Sequence, residues 1–174
     1  MQKNWYVLYT KPGREKKTAA LLTKRKIVNF YPLNSKETGL ATRKKMAYVP
    51  LFTSYVFVNT TASELEQLKQ IGQVLSLVYW KGKPATVSQG EINSMKQFSH
   101  NHQYIKLIRS KVIENERVTV NSPSYSMEGN ILSVKNKIMK VNLPSLGFVM
   151  TAEIDTEKVI GREVAFEKKD LVLQ

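Results

Sequence analysis

The spacing of apolar residues over the first hundred positions predicts alternating strands and helices. Residues 5–10 (WYVLYT) are aromatic and β-branched, which is typical of a strand, and Lys11-Pro12-Gly13 ends that strand. The chain then predicts, in order, a helix over 14–26, strands over 30–33 and 49–58, a helix that Ser63 opens and Gly72 ends, a strand over 74–80 and a helix over 89–101. This β-α-β-β-α-β-α order favours a small sheet with helices on one or both of its faces.

Local signals indicate which side of each element faces the core. Ser63 and Glu66 fit a capping box at the start of the second helix. Apolar residues at helical spacing are predicted to point inward from the second and third helices: Leu65, Leu68, Ile71, Ile92, Met95 and Phe98. Pro32 places the second strand at a sheet edge or at a strand start, and residues 38–47 are predicted to form a polar, basic loop.

The strand over 49–58 has two apolar sides. Tyr55 and Phe57 alternate with Val56 and Val58. Because successive side chains of a strand point to opposite faces, a half-buried strand would leave either the two aromatic residues or the two valines facing outward. The pattern alone leaves these two arrangements open.

The C-terminal part has a different character. Residues 103–116 show little pattern and are predicted to be a linker. Short β segments then follow at close spacing, over 117–120, 131–135, 138–143 and 148–154, and Asn136-Lys137 is predicted to turn a hairpin. Short strands at this spacing predict a small barrel of about 60 residues. The predicted domains are therefore 1–102 and 117–174.

The positive charge is concentrated at the N-terminal end. The chain of 174 residues has a formal net charge of +13, and residues 1–45 alone contain 12 basic and 2 acidic residues. A basic run is often only a solvated face, but an imbalance over a whole segment favours a polyanionic partner. Arg14, Lys17 and Lys24 are three and seven residues apart, so they share one stripe of the first helix.

Catalytic and metal-binding motifs are missing from the sequence. There is no Cys, no phosphate-binding glycine loop and no nucleophile elbow, and residues 1–62 contain only Glu15 and Glu37 as carboxylates. His100 and His102 fit a surface pair at a helix end or in the linker better than a metal site. We therefore expect a binding protein that has no catalytic residues, metal or cofactor. No run is apolar enough to span a bilayer and no signal peptide is evident, so we expect the cytoplasm and no membrane partner.

Three segments together resemble the NusG family of transcription elongation factors. They are the opening strand with Lys11 and Gly13-Arg14-Glu15, the segment 50–58 (PLFTSYVFV) and the C-terminal segment 122–129 (SPSYSMEG). The resemblance implies an α+β fold: an N-terminal NGN α/β sandwich with an antiparallel four-stranded sheet, and a C-terminal small SH3-like β-barrel called KOW. Leu51-Phe52 after Arg43-Lys44-Lys45 is similar to specialised paralogues, namely RfaH and the UpxY-type antiterminators of polysaccharide operons.

The resemblance also implies partners and residues. An apolar NGN patch would bind the β′ clamp helices of RNA polymerase, and the positions that match it are Phe52, Tyr55 and Phe57; the alternative is that these rings are core. Ser63 and Glu64 would contact the β lobe. The KOW domain would bind Rho or a small-subunit ribosomal protein, without assigned residues, and we expect a monomer. The family often has Pro-Gly or Pro-Asn where this chain has Thr53-Ser54.

The basic first helix matches the family's face toward upstream or non-template DNA. The nucleic-acid-binding residues implied are Tyr9, Lys11, Arg14, Lys17 and Lys24. The function implied is that of a transcription antitermination and elongation factor that binds RNA polymerase and suppresses pausing and termination at polysaccharide-type operons. The alternative is a ribosome-associated or general RNA-binding protein, which would spread the charge over both domains. Residues 104–174 contain 11 basic and 9 acidic residues, which argues against it.

Overall fold

The computed structural model describes residues 2–39, 43–80, 82–109, 120–122, 125–127, 130–135 and 138–153. In chain order the elements are β1 (Asn4–Thr10), α1 (Glu15–Lys24), β2 (Val28–Phe30), β3 (Leu33–Thr38), β4 (Lys45–Pro50), β5 (Tyr55–Thr60), α2 (Ala62–Leu68), β6 (Val74–Leu77), β7 (Tyr79–Trp80), β8 (Lys83–Pro84), β9 (Thr86–Val87), α3 (Gln89–Asn101), β10 (Lys106–Arg109), β11 (Val120–Ser122), β12 (Tyr125–Met127), β13 (Asn130–Lys135), β14 (Ile138–Leu143) and β15 (Phe148–Glu153).

The central sheet has the strand order β2-β5-β1-β6, and its neighbouring strands are antiparallel. The short β9 adds a fifth strand by pairing with the start of β1, where Trp5 lies opposite Val87. The antiparallel four-strand path is as predicted. β2 is an edge strand, but it covers Val28–Phe30 and ends before Pro32, whose missing N–H cannot join the ladder.

One face of this sheet is covered by α1 and α2. Tyr6 and Leu8 of β1 and Val56 and Val58 of β5 point to this side. The residues that pack there with them are Leu22, Leu65, Leu68, Ile71, Val74 and Leu77. The predicted inward stripe of the second helix is therefore confirmed. We call this side the helix-covered face.

The opposite face carries Trp5 and Val7 of β1 and Phe57 of β5. The predicted inward residues of α3, Ile92, Met95 and Phe98, are completely buried against it. Both stripes of β5 are thus in contact with other elements, and neither of the two outward-facing arrangements left open by the alternation is observed.

Residues from the C-terminal part cover the rest of that second face. β10, β15, β14 and β13 form a four-stranded antiparallel sheet in that order, and β13 and β14 form the predicted hairpin. The apolar side of β14 and β15 joins the same core as the central sheet through Val141, Leu143, Met150 and Ala152. We call Ile138–Leu143, Phe148–Glu153 and the turn between them the C-terminal layer.

The segment predicted to be a linker contains a strand. β10 lies within 103–116 and pairs with β15, so that Lys106 is opposite Thr151. Its partner is distant in sequence, which is why no local pattern indicated it. Parts of the predicted barrel, 117–119, 123–124, 128–129 and 154–174, and its hairpin turn at 136–137 lie outside the described residues, and the barrel stays a prediction.

The capping box of α2 lies two residues earlier than predicted. The sequence has the pattern twice, at Thr61 with Glu64 and at Ser63 with Glu66, and the structure uses the first. Thr61 has an extended backbone and its hydroxyl accepts the Glu64 N–H at 3.3 Å, while the Glu64 carboxylate accepts the Thr61 N–H at 3.1 Å. The helix ends at Leu68 and not next to Gly72, because the following N–H groups bond carbonyls three residues back, which tightens the last turn.

The predicted strand over 49–58 is two strands. Residues 51–54 form a turn between β4 and β5, in which the Tyr55 N–H donates to the Phe52 carbonyl at 3.3 Å. The predicted polar loop over 38–47 is also shorter than expected, because β3 and β4 pair from Leu33 opposite Pro50 to Thr38 opposite Lys45. β3 (LNSKET) has a single apolar residue, so it lacks the alternating apolar stripe from which a strand could be recognised.

Candidate protein and nucleic-acid interfaces

Three aromatic rings form a contiguous group at the start of β5. The Phe52 and Tyr55 rings are parallel with centroids 6.1 Å apart, and the Phe52 and Phe57 rings meet edge to face at 5.7 Å. These separations are typical of favourable aromatic pairs. We call Phe52, Tyr55 and Phe57 the aromatic ridge; the structure brings together all three positions that the family resemblance implied for a polymerase contact.

An unusual backbone turn places the ridge. Ser54 has a φ of +68°, in the left-handed region that glycine and asparagine adopt more readily than serine. Its N–H donates to the carboxylate of Glu15 at 2.7 Å, and that carboxylate is buried. Glu15 on α1 therefore stabilises the turn that holds Phe52 and Tyr55 on the other side of the sheet.

The C-terminal layer lies directly on the ridge. The Phe148 ring meets the Phe52 ring edge to face with centroids 5.7 Å apart. Phe52 is 3% exposed and Phe57 is 0% exposed, while Tyr55 is half-buried. The ridge is consequently not a free surface in this arrangement, and part of what covers it comes from residues some ninety positions further along the chain.

Polar contacts hold the same layer to α3. The Glu91 carboxylate accepts the N–H and hydroxyl of Ser88 at 3.0 and 2.7 Å, which caps the helix. The same carboxylate accepts the N–H and hydroxyl of Ser145 at 2.9 and 2.6 Å. Ser145 lies in the turn between β14 and β15, so one buried carboxylate joins the C-terminal layer to the N-terminus of α3.

The two residues implied for a β-lobe contact lie in the first turn of α2, and both are exposed. Glu64 accepts hydrogen bonds from the Thr60 hydroxyl and from the N–H and hydroxyl of Thr61. These bonds lower the pKa of Glu64 to about 2. The carboxylate is therefore fully ionised near neutral pH, in a fixed orientation. The Ser63 hydroxyl lies 3.0 Å from that of Thr61.

The basic residues implied for DNA contact are all exposed. Lys11 and Arg14 lie between β1 and α1, and Lys17 and Lys24 lie on α1, seven residues or about 10 Å apart along its axis. Within the described part of the chain, none of these four forms an ion pair. Tyr9 is partly exposed and meets the Tyr55 ring edge to face at 6.1 Å. Tyr9 therefore extends the aromatic ridge, and only its chain neighbour Lys11 connects it to the basic residues.

Several residues of this site have no clear sequence signal. Ser88-x-x-Glu91 fits a capping box, which would have identified the cap but not the contact to Ser145. Glu15 is the one carboxylate of the basic helix α1. From the sequence it would be interpreted as an ion-pair partner of neighbouring lysines, and not as the acceptor for the Ser54 N–H. Phe148 is one apolar residue among many. All three act through contacts distant in sequence.

The two histidines lie at the end of α3, as predicted, but they are not a surface pair, because His100 is exposed and His102 is half-buried. His100 lies in the last turn of α3, and His102 follows the helix with its ring stacked on Phe98 at 4.4 Å. Burial lowers the pKa of His102 below its usual value, so it is neutral near pH 7. The described residues include no group of three or more His, Cys, Asp or Glu side chains with metal-site geometry. Nor does any helix among them have the length and apolarity to cross a membrane.

Comparison with known proteins places the chain in a family. The family model described as transcription termination factor NusG matches residues 3–96, more than half of the chain. The fold is similar to that in a structure entitled "Domain interaction in Thermotoga maritima NusG", with 19% identity, a TM-score of 0.46, and 88% of this chain and 94% of that chain covered. It is also similar to that in "Crystal Structure of MjSpt4:Spt5 complex conformation A", with 16% identity, a TM-score of 0.31, and 86% and 99% covered.

No curated protein matches the chain. The family match nevertheless runs from β1 into the first half of α3, a range that contains the aromatic ridge, the Ser54 turn and the basic residues of α1. The chain therefore belongs to the NusG family of transcription factors.

Proposed function

We propose that this protein binds RNA polymerase through the aromatic ridge, as a factor that suppresses pausing and termination at polysaccharide-type operons. The observation that carries the proposal is the ridge itself: the Phe52 ring packs on both Tyr55 and Phe57, and a layer that is remote in sequence covers part of this group. Aromatic side chains are common anchors of protein interfaces.

Binding through the ridge requires the C-terminal layer to move away. Phe148 occupies the position over Phe52 that a partner side chain would need. The free energy of the Phe148 contact and of the Glu91–Ser145 hydrogen bonds therefore opposes binding. A ligand can shift such an equilibrium only by its differential affinity for the open form. Polymerase would thus bind more tightly to any variant in which the layer is loosened.

DNA would lie along the exposed basic residues of the N-terminal end. Lys11, Arg14, Lys17 and Lys24 would contact phosphates, and Tyr9 would contact a base or sugar next to them. Such contacts release counterions and give a salt-dependent affinity. Sequence preference at target operons would need base contacts to an exposed non-template strand. Ser63 and the oriented carboxylate of Glu64 remain the proposed contacts to the β lobe.

A pull-down with core RNA polymerase tests the ridge. Phe148→Ala loosens the layer and is expected to increase binding over the unmodified chain. Adding Tyr55→Ala to Phe148→Ala should then reduce binding about tenfold or more, as an interface aromatic does. Tyr31→Ala in the same background is the matched control, because Tyr31 is a half-buried tyrosine that packs against the helix-covered face. Equal binding of the Tyr55 and Tyr31 variants would disprove the ridge as the polymerase contact.

Gel shifts at several salt concentrations test the DNA face. Lys17→Glu with Lys24→Glu is expected to weaken binding of duplex and single-stranded DNA. It should also flatten the salt dependence by about 0.7 to 0.9 for each phosphate that a lysine no longer neutralises. The control pair Lys106→Glu with Lys140→Glu changes the net charge equally but lies on β10 and β14. If the two pairs weaken binding equally, total charge and not the α1 face governs it.

A further inference from the structure

An exposed aromatic hairpin projects from the edge of the central sheet. β7 and β8 pair with Tyr79 opposite Pro84 and Trp80 opposite Lys83. Tyr79 is 50% exposed and Trp80 is 56% exposed. Two neighbouring exposed aromatic side chains form a site where a partner can bury apolar surface. We call Tyr79–Trp80 and Lys83–Pro84 the aromatic hairpin.

The hairpin is attached at both of its ends. The Val78 N–H donates to the Val7 carbonyl of β1 at 2.9 Å, and the Ala85 N–H donates to the Val78 carbonyl at 2.8 Å. Val87 then pairs with Trp5 at the other end of the same strand. Since two points on β1 fix it, the hairpin presents its rings with little loss of conformational freedom on binding.

The surroundings of the hairpin are basic. Residues 66–90 contain three lysines and one carboxylate, Glu66. Lys83 is exposed and lies directly opposite Trp80. Lys69 donates to the Tyr79 hydroxyl at 3.4 Å and forms an ion pair with Glu66 at 2.7 Å, so Lys83 carries the positive charge that a ligand on Trp80 would meet. Exposed rings next to lysines match a ligand with flat apolar groups on an anionic backbone.

We infer that the aromatic hairpin binds single-stranded nucleic acid, with a base stacked on Trp80 and the ammonium group of Lys83, which lies opposite Trp80, on a neighbouring phosphate. Every base has a face that can stack on an aromatic ring, so this contact tolerates different sequences. The Lys11 N–H donates to the Gln73 carbonyl at 2.9 Å. The basic segment after β1 therefore lies beside the start of β6, the strand that leads into the hairpin. The inference extends the proposed DNA contact, but its test is independent of polymerase binding.

Tryptophan fluorescence tests the inference directly. The chain has two tryptophans, and Trp5 is buried with its indole N–H donating to Gln89 at 2.7 Å. Titration with a short oligothymidine is expected to quench the emission of the unmodified chain. Trp80→Phe should abolish the quenching, because the remaining Trp5 cannot reach a base. A matched oligouridine distinguishes DNA from RNA as the source of the strand.

Affinity measured by fluorescence anisotropy of a labelled oligothymidine gives a second readout. Trp80→Ala should weaken binding about tenfold, since a stacked base contributes about 1–3 kcal/mol. Tyr48→Ala is the control, because Tyr48 is an exposed aromatic residue on a different hairpin. Both side chains are exposed, so neither change should affect folding, which circular dichroism would verify.

Two results would overturn the inference. One is an unmodified chain that binds oligothymidine without quenching Trp80, or with an affinity that Trp80→Ala and Tyr48→Ala change equally. The other is a Trp80→Ala variant that loses polymerase binding in the pull-down while its oligothymidine affinity is unchanged, since the hairpin would then be a protein contact. If Tyr55→Ala and Tyr31→Ala bind polymerase equally while oligothymidine still quenches the Trp80 emission, the hairpin inference is supported and the polymerase proposal is refuted.

Discussion

The two faces of the central sheet are both buried, but by parts of the chain with different relations to it. The helix-covered face packs against α1 and α2, which follow β1 and β5 directly in sequence. The opposite face packs against α3 and also against the C-terminal layer, which begins at Ile138. The first is a local core that belongs to the sheet itself. The second includes a cover from a part of the chain that is remote in sequence, and our proposal requires this cover to leave while the sheet stays folded.

The largest expected effect compares one leucine from each side. Leu22 on α1 and Leu143 on β14 are both completely buried. Leu22→Ala should lower the free energy of unfolding of the whole N-terminal part by about 2–5 kcal/mol, as a cavity in a packed core does. Leu143→Ala should mainly favour the open form. Hydrogen exchange after each change would show this: faster exchange in β5 for the first, and faster exchange confined to β10, β14 and β15 for the second.

If Leu143→Ala instead accelerates exchange in β5 as much as Leu22→Ala does, the two faces form one cooperative unit. The C-terminal layer would then not be a separable cover, and the comparison would fail.

A smaller effect is expected at the polar contact between the layer and α3. Ser145→Ala removes the hydroxyl that donates to Glu91 at 2.6 Å. A hydrogen bond to a charged group contributes about 1.5–3 kcal/mol, so the open form should become about tenfold or more populated. Binding of a hydrophobic dye such as ANS would report the uncovered ridge. Ser76→Ala, at an exposed position of β6, is the control and should leave dye binding unchanged.

The Ser54 turn links the two faces and can be improved. Ser54→Gly should raise the free energy of unfolding by up to about 1 kcal/mol, because glycine adopts a positive φ with less strain. Chemical denaturation would measure it. Thr53→Gly next to it is the control and should destabilise, since Thr53 has no positive φ to relieve. A destabilised Ser54→Gly would mean that the serine side chain, and not its backbone, is what the turn requires.

The smallest expected effect is a pH dependence that comes from the helix-covered side. The pKa of Glu64 is about 2 in the folded protein against an ordinary value of 4.5. Ionised Glu64 therefore stabilises the fold above about pH 4.5, and this contribution is lost as the pH falls toward 2. Denaturation curves between these limits should show a shallower decline for Glu64→Gln. Glu66→Gln on the same helix keeps the Glu64 bonds and should retain the full decline.

Local elements were largely predictable from the sequence. Gln89–Asn101 is helical over the predicted range, because Ser88 caps it and Ile92, Met95 and Phe98 repeat at helical spacing. The sequence predicts the capping box of α2 two residues too late, because the pattern occurs twice and the structure uses the first copy. Ser54 was inconspicuous because nothing nearby shows that Glu15 will stabilise a positive φ there.

Contacts distant in sequence were not predictable from these patterns. The alternation of Tyr55 and Phe57 with the valines indicated two apolar stripes, and the family resemblance indicated a partner for one of them. Neither indicated that Phe148 and Ser145 would contact this face. An apolar residue has the same sequence pattern whether it packs in a permanent core or covers a surface that a partner can bind. β10 has no sequence signal either, because it pairs with β15, which is distant along the chain, and no pattern in neighbouring residues indicates that pairing.

The junction at Ile105 is the point at which the C-terminal layer would stay attached during the proposed opening. The Asn34 side chain donates to the Ile105 carbonyl at 2.8 Å and accepts its N–H at 2.9 Å, immediately before the strand that pairs with β15. A layer released beyond this pivot remains tethered, so its return is a unimolecular step. The ratio of closed to open molecules should then be the same at every dilution of the protein. Only a partner that competes for the ridge would change this ratio, and the change would follow the concentration of that partner.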